Sequence, residues 1–170
     1  MDRMRRWVVV TTVAIPVIQA VDILARFLTG RGWIFAFVFV LGAPVWLLNF
    51  GLLAWMARGM LSPTSTFAEA RQFTRVGILL LLWAYALGLT LFCWFAGDGD
   101  AFRSWQSPAG RLLGVDDSGR HSPQYLQYAH GFGMVGLALG FLALSGAVSV
   151  YTTIGGRVPA PKPARPAPTE

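Results

Sequence analysis

From Trp33 to Ala57, and again from Val76 to Gly97, the chain carries no charged side chain. Roughly 20 helical residues, rising 1.5 Å each, cross the roughly 30 Å of hydrocarbon in a bilayer, so each run is long enough to span a membrane as a helix. A third uncharged run covers 130–154, and a less clean one covers 7–28, interrupted near its end by Asp22 and Arg26. The reading is an all-α integral membrane protein: a four-helix transmembrane bundle over 1–156, with spans at about 7–28, 33–57, 76–97 and 130–154. Composition supports it. Only 13% of the 170 residues are charged and 55% are hydrophobic, where a soluble domain has roughly 25% charged. Too few polar side chains remain to cover a water-facing surface, and too many apolar ones are present for a disordered chain.

The first twenty residues, MDRMRRWVVVTTVAIPVIQA, have the basic start and apolar stretch of a signal peptide. Cleavage after Ala20 would put Ile18 where a small residue is wanted, and the apolar run continues past it, so the segment reads as a span. Arg5-Arg6 lacks the rest of a twin-arginine signal and reads as a topology anchor.

A net charge of +6 and a pI near 10.4 would point to nucleic acid in a soluble protein; in a membrane chain they set orientation, because short cytoplasmic segments collect Lys and Arg. With the N-terminus inside, nine basic residues lie inside (Arg3, Arg5, Arg6, Arg58, Arg71, Arg75, Arg157, Lys162, Arg165) and four outside (Arg31, Arg103, Arg111, Arg120). Both termini are therefore expected in the cytoplasm, with no nucleic-acid partner. Trp7, Trp33, Trp55, Trp94, Tyr125, Tyr128 and Tyr151 fall near span ends, where amphipathic rings settle at the headgroup level. Arginine outnumbers lysine thirteen to one, and Ala, Gly, Pro and Val are abundant. Such usage suits a high-GC bacterium and hence an inner (plasma) membrane.

The connections carry their own signals. Thr29–Gly32 is short enough to force a helical hairpin, and Gly42 with Pro44 predicts a kink in the second span. Ser62-Pro63 breaks the chain; Thr66-Phe67-Ala68-Glu69 has capping-box spacing, predicting a helix that starts near Phe67 and continues into the third span. Arg71 and Arg75 would then share one face toward anionic headgroups. In the outer loop, about 98–129, the stretch AFRSWQSPAGRLLGV predicts a short interfacial helix resting on Phe102, Trp105, Leu112 and Leu113. The GDGD at 97–100 and Asp116-Asp117 do not have calcium-loop spacing, and no metal site is expected. Residues 157–170 hold five of the ten prolines and read as a disordered cytoplasmic tail.

Ionisable residues within a span are where function is sought first. Asp22 and Arg26, four apart, share one helix face and can pair. With Gln19 on the same span, Thr90 on the third and His130 opening the fourth, they form a candidate polar cluster at the outer mouth of the bundle. The plainer reading of the pair is an ion pair that sets the depth of the span. Asn49, on the inner half of the second span, suits an interhelical hydrogen bond. On the fourth span Ala129, Gly133, Gly136, Gly140, Ala143 and Ala147 recur at steps of three and four, a small-residue stripe that lets another helix approach closely, within the chain or from another subunit.

Neither histidine pairs with another across helices as a di-haem site needs, a single cysteine forbids CxxC chemistry, and no HExxH, GxSxG, P-loop or dinucleotide motif occurs. No cofactor and no catalytic residue are expected. The favoured function is a non-enzymatic accessory, assembly or regulatory subunit of a membrane complex, with other membrane subunits or further copies of itself as partners. The alternatives are a small oligomeric transporter or channel built on the Asp22 cluster, and an enzyme acting on a lipid-borne substrate through His121 or His130. The expected topology is checked in a Cys93→Ser background: Ser118→Cys should react with an impermeant thiol reagent applied from outside, and Ser65→Cys should not.

Overall fold

The computed structural model describes residues 3–29, 40–62, 64–100, 103–114 and 123–155. The chain is helical: α1 (Arg3–Thr29), α2 (Ala43–Leu61), α3 (Thr66–Glu69), α4 (Gln72–Phe95), α5 (Pro108–Leu112) and α6 (Pro123–Gly155). Between α4 and α5 a small antiparallel ribbon, β1 (Asp98–Asp100) and β2 (Arg103–Gln106), pairs Asp98 with Gln106 and Asp100 with Arg103. Among the described residues three helical segments are long and apolar enough to cross a membrane: Arg3–Leu28, Gln72–Phe95 and Tyr128–Gly155. The second predicted span is only partly described, since 33–39 lie outside the described residues. Its described part, α2, is diluted by Pro44, Asn49 and Arg58.

Local chemistry moves several predicted boundaries. Val40 and Leu41 are helical, Gly42 is a turn residue and the N-cap of α2, and Pro44 stands in the first turn of α2, so the helix is interrupted at the pair where a kink was predicted; proline fits in a first turn because its missing N–H has no intrahelical acceptor to lose. The cap of α3 is Ser65, one residue before the predicted Thr66, and its hydroxyl accepts from the Ala68 amide at 3.3 Å. That helix does not run into the third span. Ala70 and Arg71 are extended (ψ 153° and 142°), and Arg71 is the N-cap of α4, so Arg71 and Arg75 do not share a helical face. In the connection after α4 Trp105 belongs to β2, and the helix starts only at Pro108, capped by the Ser107 hydroxyl on the Gly110 amide at 3.0 Å. Leu112 and Leu113 end that helix exposed, and Phe102 lies outside the described residues.

The largest contact joins α4 to α6. The small-residue stripe of α6 lies against α4, where Gly88 supplies the matching gap. A methyl group at Gly88 would run into the Gly136 carbonyl oxygen and come within 2.8 Å of the Gly140 Cα. One at Gly133 would lie 2.6 Å from the Ala96 amide nitrogen, and one at Gly140 would meet the Tyr85 carbonyl at 3.2 Å. Ala129, Ala143 and Ala147 are buried along the same stripe. Later residues of α6 meet earlier residues of α4, so the two helices are antiparallel. At the far end of α6, Tyr151 covers Gly59 of α2 and packs edge-on against Trp55, with ring centroids 5.0 Å apart. Phe67 of α3 reaches the same tyrosine at 6.4 Å.

Polarity is distributed the opposite way from a soluble protein. Thr11, Gln19, Asp22, Arg26 and Asn49 are buried, while Val13, Val17, Leu24, Phe27, Leu47, Leu80, Leu139 and Leu142 face outward. Such a surface is stable against lipid tails and unstable against water. The α4–α6 contact predicts opposite signs for one substitution at two sites on α4. Gly88→Ala should destabilise the protein in detergent by about 1–3 kcal/mol through overpacking. Gly77→Ala, where nothing lies within 4 Å of the new methyl group, should stabilise it by about 0.5–1 kcal/mol through helix propensity. Reversible unfolding of both variants measures the difference.

Candidate functional site

The buried face of α1 is Val8, Thr11, Ile15, Gln19, Asp22 and Arg26. Their steps of three and four put them in one stripe along the helix. Trp83, Thr90 and Trp94, seven and four residues apart on α4, form the stripe that meets it. The Trp83 indole donates to the Thr11 hydroxyl at 3.1 Å. Higher up, the two oxygens of Asp22 divide between two donors: Thr90 Oγ1 donates to Oδ2 at 2.6 Å and Trp94 Nε1 to Oδ1 at 3.0 Å. Contacts advance together along both chains, so α1 and α4 are parallel.

Arg26 completes this level from above. Its Nη1 donates to the Cys93 carbonyl oxygen at 3.4 Å. Cys93 belongs to the last turn of α4, where carbonyls run out of intrahelical donors and the helix dipole presents its negative end. The guanidinium thus acts as a C-terminal cap on α4, and its charge sits one residue along that helix from the indole that holds the carboxylate. Asp22 and Arg26 are each only 4% exposed. An isolated charge at this burial would be costly; opposite charges on one helix face with charge-assisted hydrogen bonds to a second helix are not isolated. The local pair expected from the sequence is thereby a link between helices.

Gln19 lies one turn deeper and is 1% exposed. It turns its amide to the hydroxyl of Tyr85, itself 2% exposed. Among the described residues, neither Gln19 Nε2 nor the Tyr85 hydroxyl completes a hydrogen bond. His130 is half-buried near the start of α6, one turn before Gly133, which packs on Ala96. Of the predicted cluster, Asp22 and Thr90 are in direct contact, Arg26 reaches the same turn of α4, and Gln19 sits below them. The small-residue stripe, Ala129 to Ala147, is on another interface and takes no part in the seam.

Trp94, Tyr85, Trp83 and Thr11 belong to this seam without having been singled out for it. The signal for Trp94 was its place four residues after Thr90, on the same line of α4; its position near a span end had suggested a headgroup anchor. Among the described residues, no three His, Cys, Asp or Glu side chains come together as a metal site requires. No family model, curated protein or solved structure matches the chain. The Asp22–Thr90 bond is measured by a double-mutant cycle of Asp22→Asn and Thr90→Ala, read by unfolding in detergent. The expected coupling is about 0.6–1.7 kcal/mol, the range found for interhelical bonds in membranes.

Proposed function

We propose that this chain is a small multi-pass protein of a bacterial inner membrane that serves as a non-enzymatic accessory, assembly or regulatory subunit of a membrane complex. The observation that carries the reading is the use made of its buried charges. Both Asp22 oxygens accept bonds from α4 and Arg26 caps the end of α4, so the ionisable groups most suited to chemistry hold two helices together. What the chain offers its surroundings is apolar helix surface, the kind of face another membrane subunit or a second copy would cover.

Four spans with both termini in the cytoplasm are part of this reading. Parallel α1 and α4 support it, because the chain between them must return across the bilayer, and α2 is the longer of the two described helices in that interval. The meeting of Gly59 and Tyr151 near the C-terminal ends of α2 and α6 supports a common direction for those two. The nine-to-four division of basic residues supports the inward placement of the ends. The short helix α5, with Leu112 and Leu113 exposed at its end, suits the outer interface. The tail at 157–170 is read as a proline-rich cytoplasmic spacer.

A second reading, a small oligomeric transporter or channel, is favoured by one observation: the buried face of α1 is polar at four of its six positions. Mild-detergent purification separates the two. The accessory reading expects other membrane proteins to co-purify and to cross-link to the outward faces of α1 and α2. A monomer without companions, together with ion or solute flux in vesicles that Asp22→Asn abolishes, would favour the transporter.

A further inference from the structure

Between α1, α2 and α4 lies an apolar groove of about 330 Å³, with Thr12, Pro16, Ala54, Ala57, Met60 and Leu82 among its walls. It opens sideways, since Pro16 and Ala54 are exposed. Its walls are apolar apart from Thr11 and Thr12, a lining that suits a flexible hydrocarbon chain.

Charge at one end selects the head that such a chain would carry. α1 and α2 are antiparallel, since α1 follows α4, α2 follows α6, and α4 opposes α6. The N-terminal end of α1 and the C-terminal end of α2 therefore border the same end of the groove. Arg5 stands seven residues before Thr12, two turns along the line that Thr12 and Pro16 share. Arg58 stands four residues after Ala54, one turn beyond it. Both are exposed. Guanidinium groups bind phosphate oxygens through paired N–H donors, and a long arginine stem reaches from apolar surface to the headgroup level. The proline-rich tail, RVPAPKPARPAPTE, has no apolar side chain larger than Val158 to put in the groove.

We propose that the groove binds one acyl chain of an anionic phospholipid whose phosphate lies between Arg5 and Arg58. Pro16 contributes to the site in two ways. It lacks an N–H for the Thr12 carbonyl, and its ring interrupts the ridge of side chains that would otherwise close the gap against α2. This site is independent of the accessory role; it rests on the common direction of α2 and α6 that belongs to the four-span reading.

The test uses the full chain in nanodiscs holding equal amounts of dioleoylphosphatidylglycerol and dioleoylphosphatidylcholine, with retained lipids counted by native mass spectrometry. The expected result is one phosphatidylglycerol held per chain, with a preference of roughly 30-fold over phosphatidylcholine from two arginines. Arg5→Gln combined with Arg58→Gln should bring the preference to unity. Ala54→Phe fills the groove and leaves every charge in place; it should release both lipids, and it decides the matter if the double variant does not fold by circular dichroism. Equal retention of the two lipids by the unaltered chain would overturn the proposal. So would phosphatidylglycerol retention that survives Ala54→Phe, or a tightly held protein in place of the lipid.

Discussion

The fold depends on how closely two backbones approach at Gly88. In lipid there is no hydrophobic gain from bringing helices together, because the tails they displace are as apolar as the side chains that replace them. Association must come from contacts that lipid cannot imitate. At Gly88 a methyl group would meet the Gly136 carbonyl and the Gly140 backbone, so the axes are close enough for backbone atoms to touch directly. Many small dispersion contacts over that length accumulate into a stable pair. The antiparallel α4–α6 pair is accordingly the platform, and α4 also makes the next-largest contact between helices, with α1.

α1 joins the opposite side of α4 by a different means. There the packing residues are not small; they are Thr11, Gln19, Asp22 and Arg26 against Trp83, Thr90 and Trp94. A hydrogen bond in hydrocarbon has no competing water, so each polar group on one helix strongly disfavours any register that leaves it unpaired. A glycine stripe permits close approach at several neighbouring registers; a carboxylate shared between a threonine and an indole permits one. The two interfaces thus divide the task, with α4–α6 contributing contact area and α1–α4 contributing register. The same division accounts for the inverted polarity, since polar side chains are useful inside this protein and costly on its lipid face.

Much of this was legible in the chain because bilayer thickness imposes a length that the sequence displays directly. Uncharged runs located α4 and α6 to within a few residues, apart from the seven, Pro123 to Ala129, added to the start of α6. The steps of three and four from Ala129 to Ala147 located the packing stripe. Boundaries set by backbone chemistry were harder to read: Ser65, Thr66 and Ser62 are all competent caps, and only the fold selects Ser65. Gly88 has no pattern of its own on a Leu-rich helix whose other glycine, Gly77, faces open space; it acquires meaning opposite Gly136 and Gly140. Asp22 and Arg26 were visible as unusual residues, yet their bonds depend on the register of α1 against α4, information that no single helix contains.

The same economy explains why α2 differs from the other long helices. It has neither a glycine stripe facing a backbone nor a bonded acid: Asn49 is buried, and among the described residues its Nδ2 has no hydrogen-bond partner. What holds α2 is side-chain packing of Leu53, Met56 and Met60, with Tyr151 seated over Gly59 at one end. Contacts of this kind have close substitutes in lipid, which can fill a gap beside a methionine as well as a leucine can. Local opening is easiest where contacts are few and replaceable. Motion in this protein should therefore concentrate at α2, while α1, α4 and α6 move as one body, tied by contacts for which the bilayer has no equivalent.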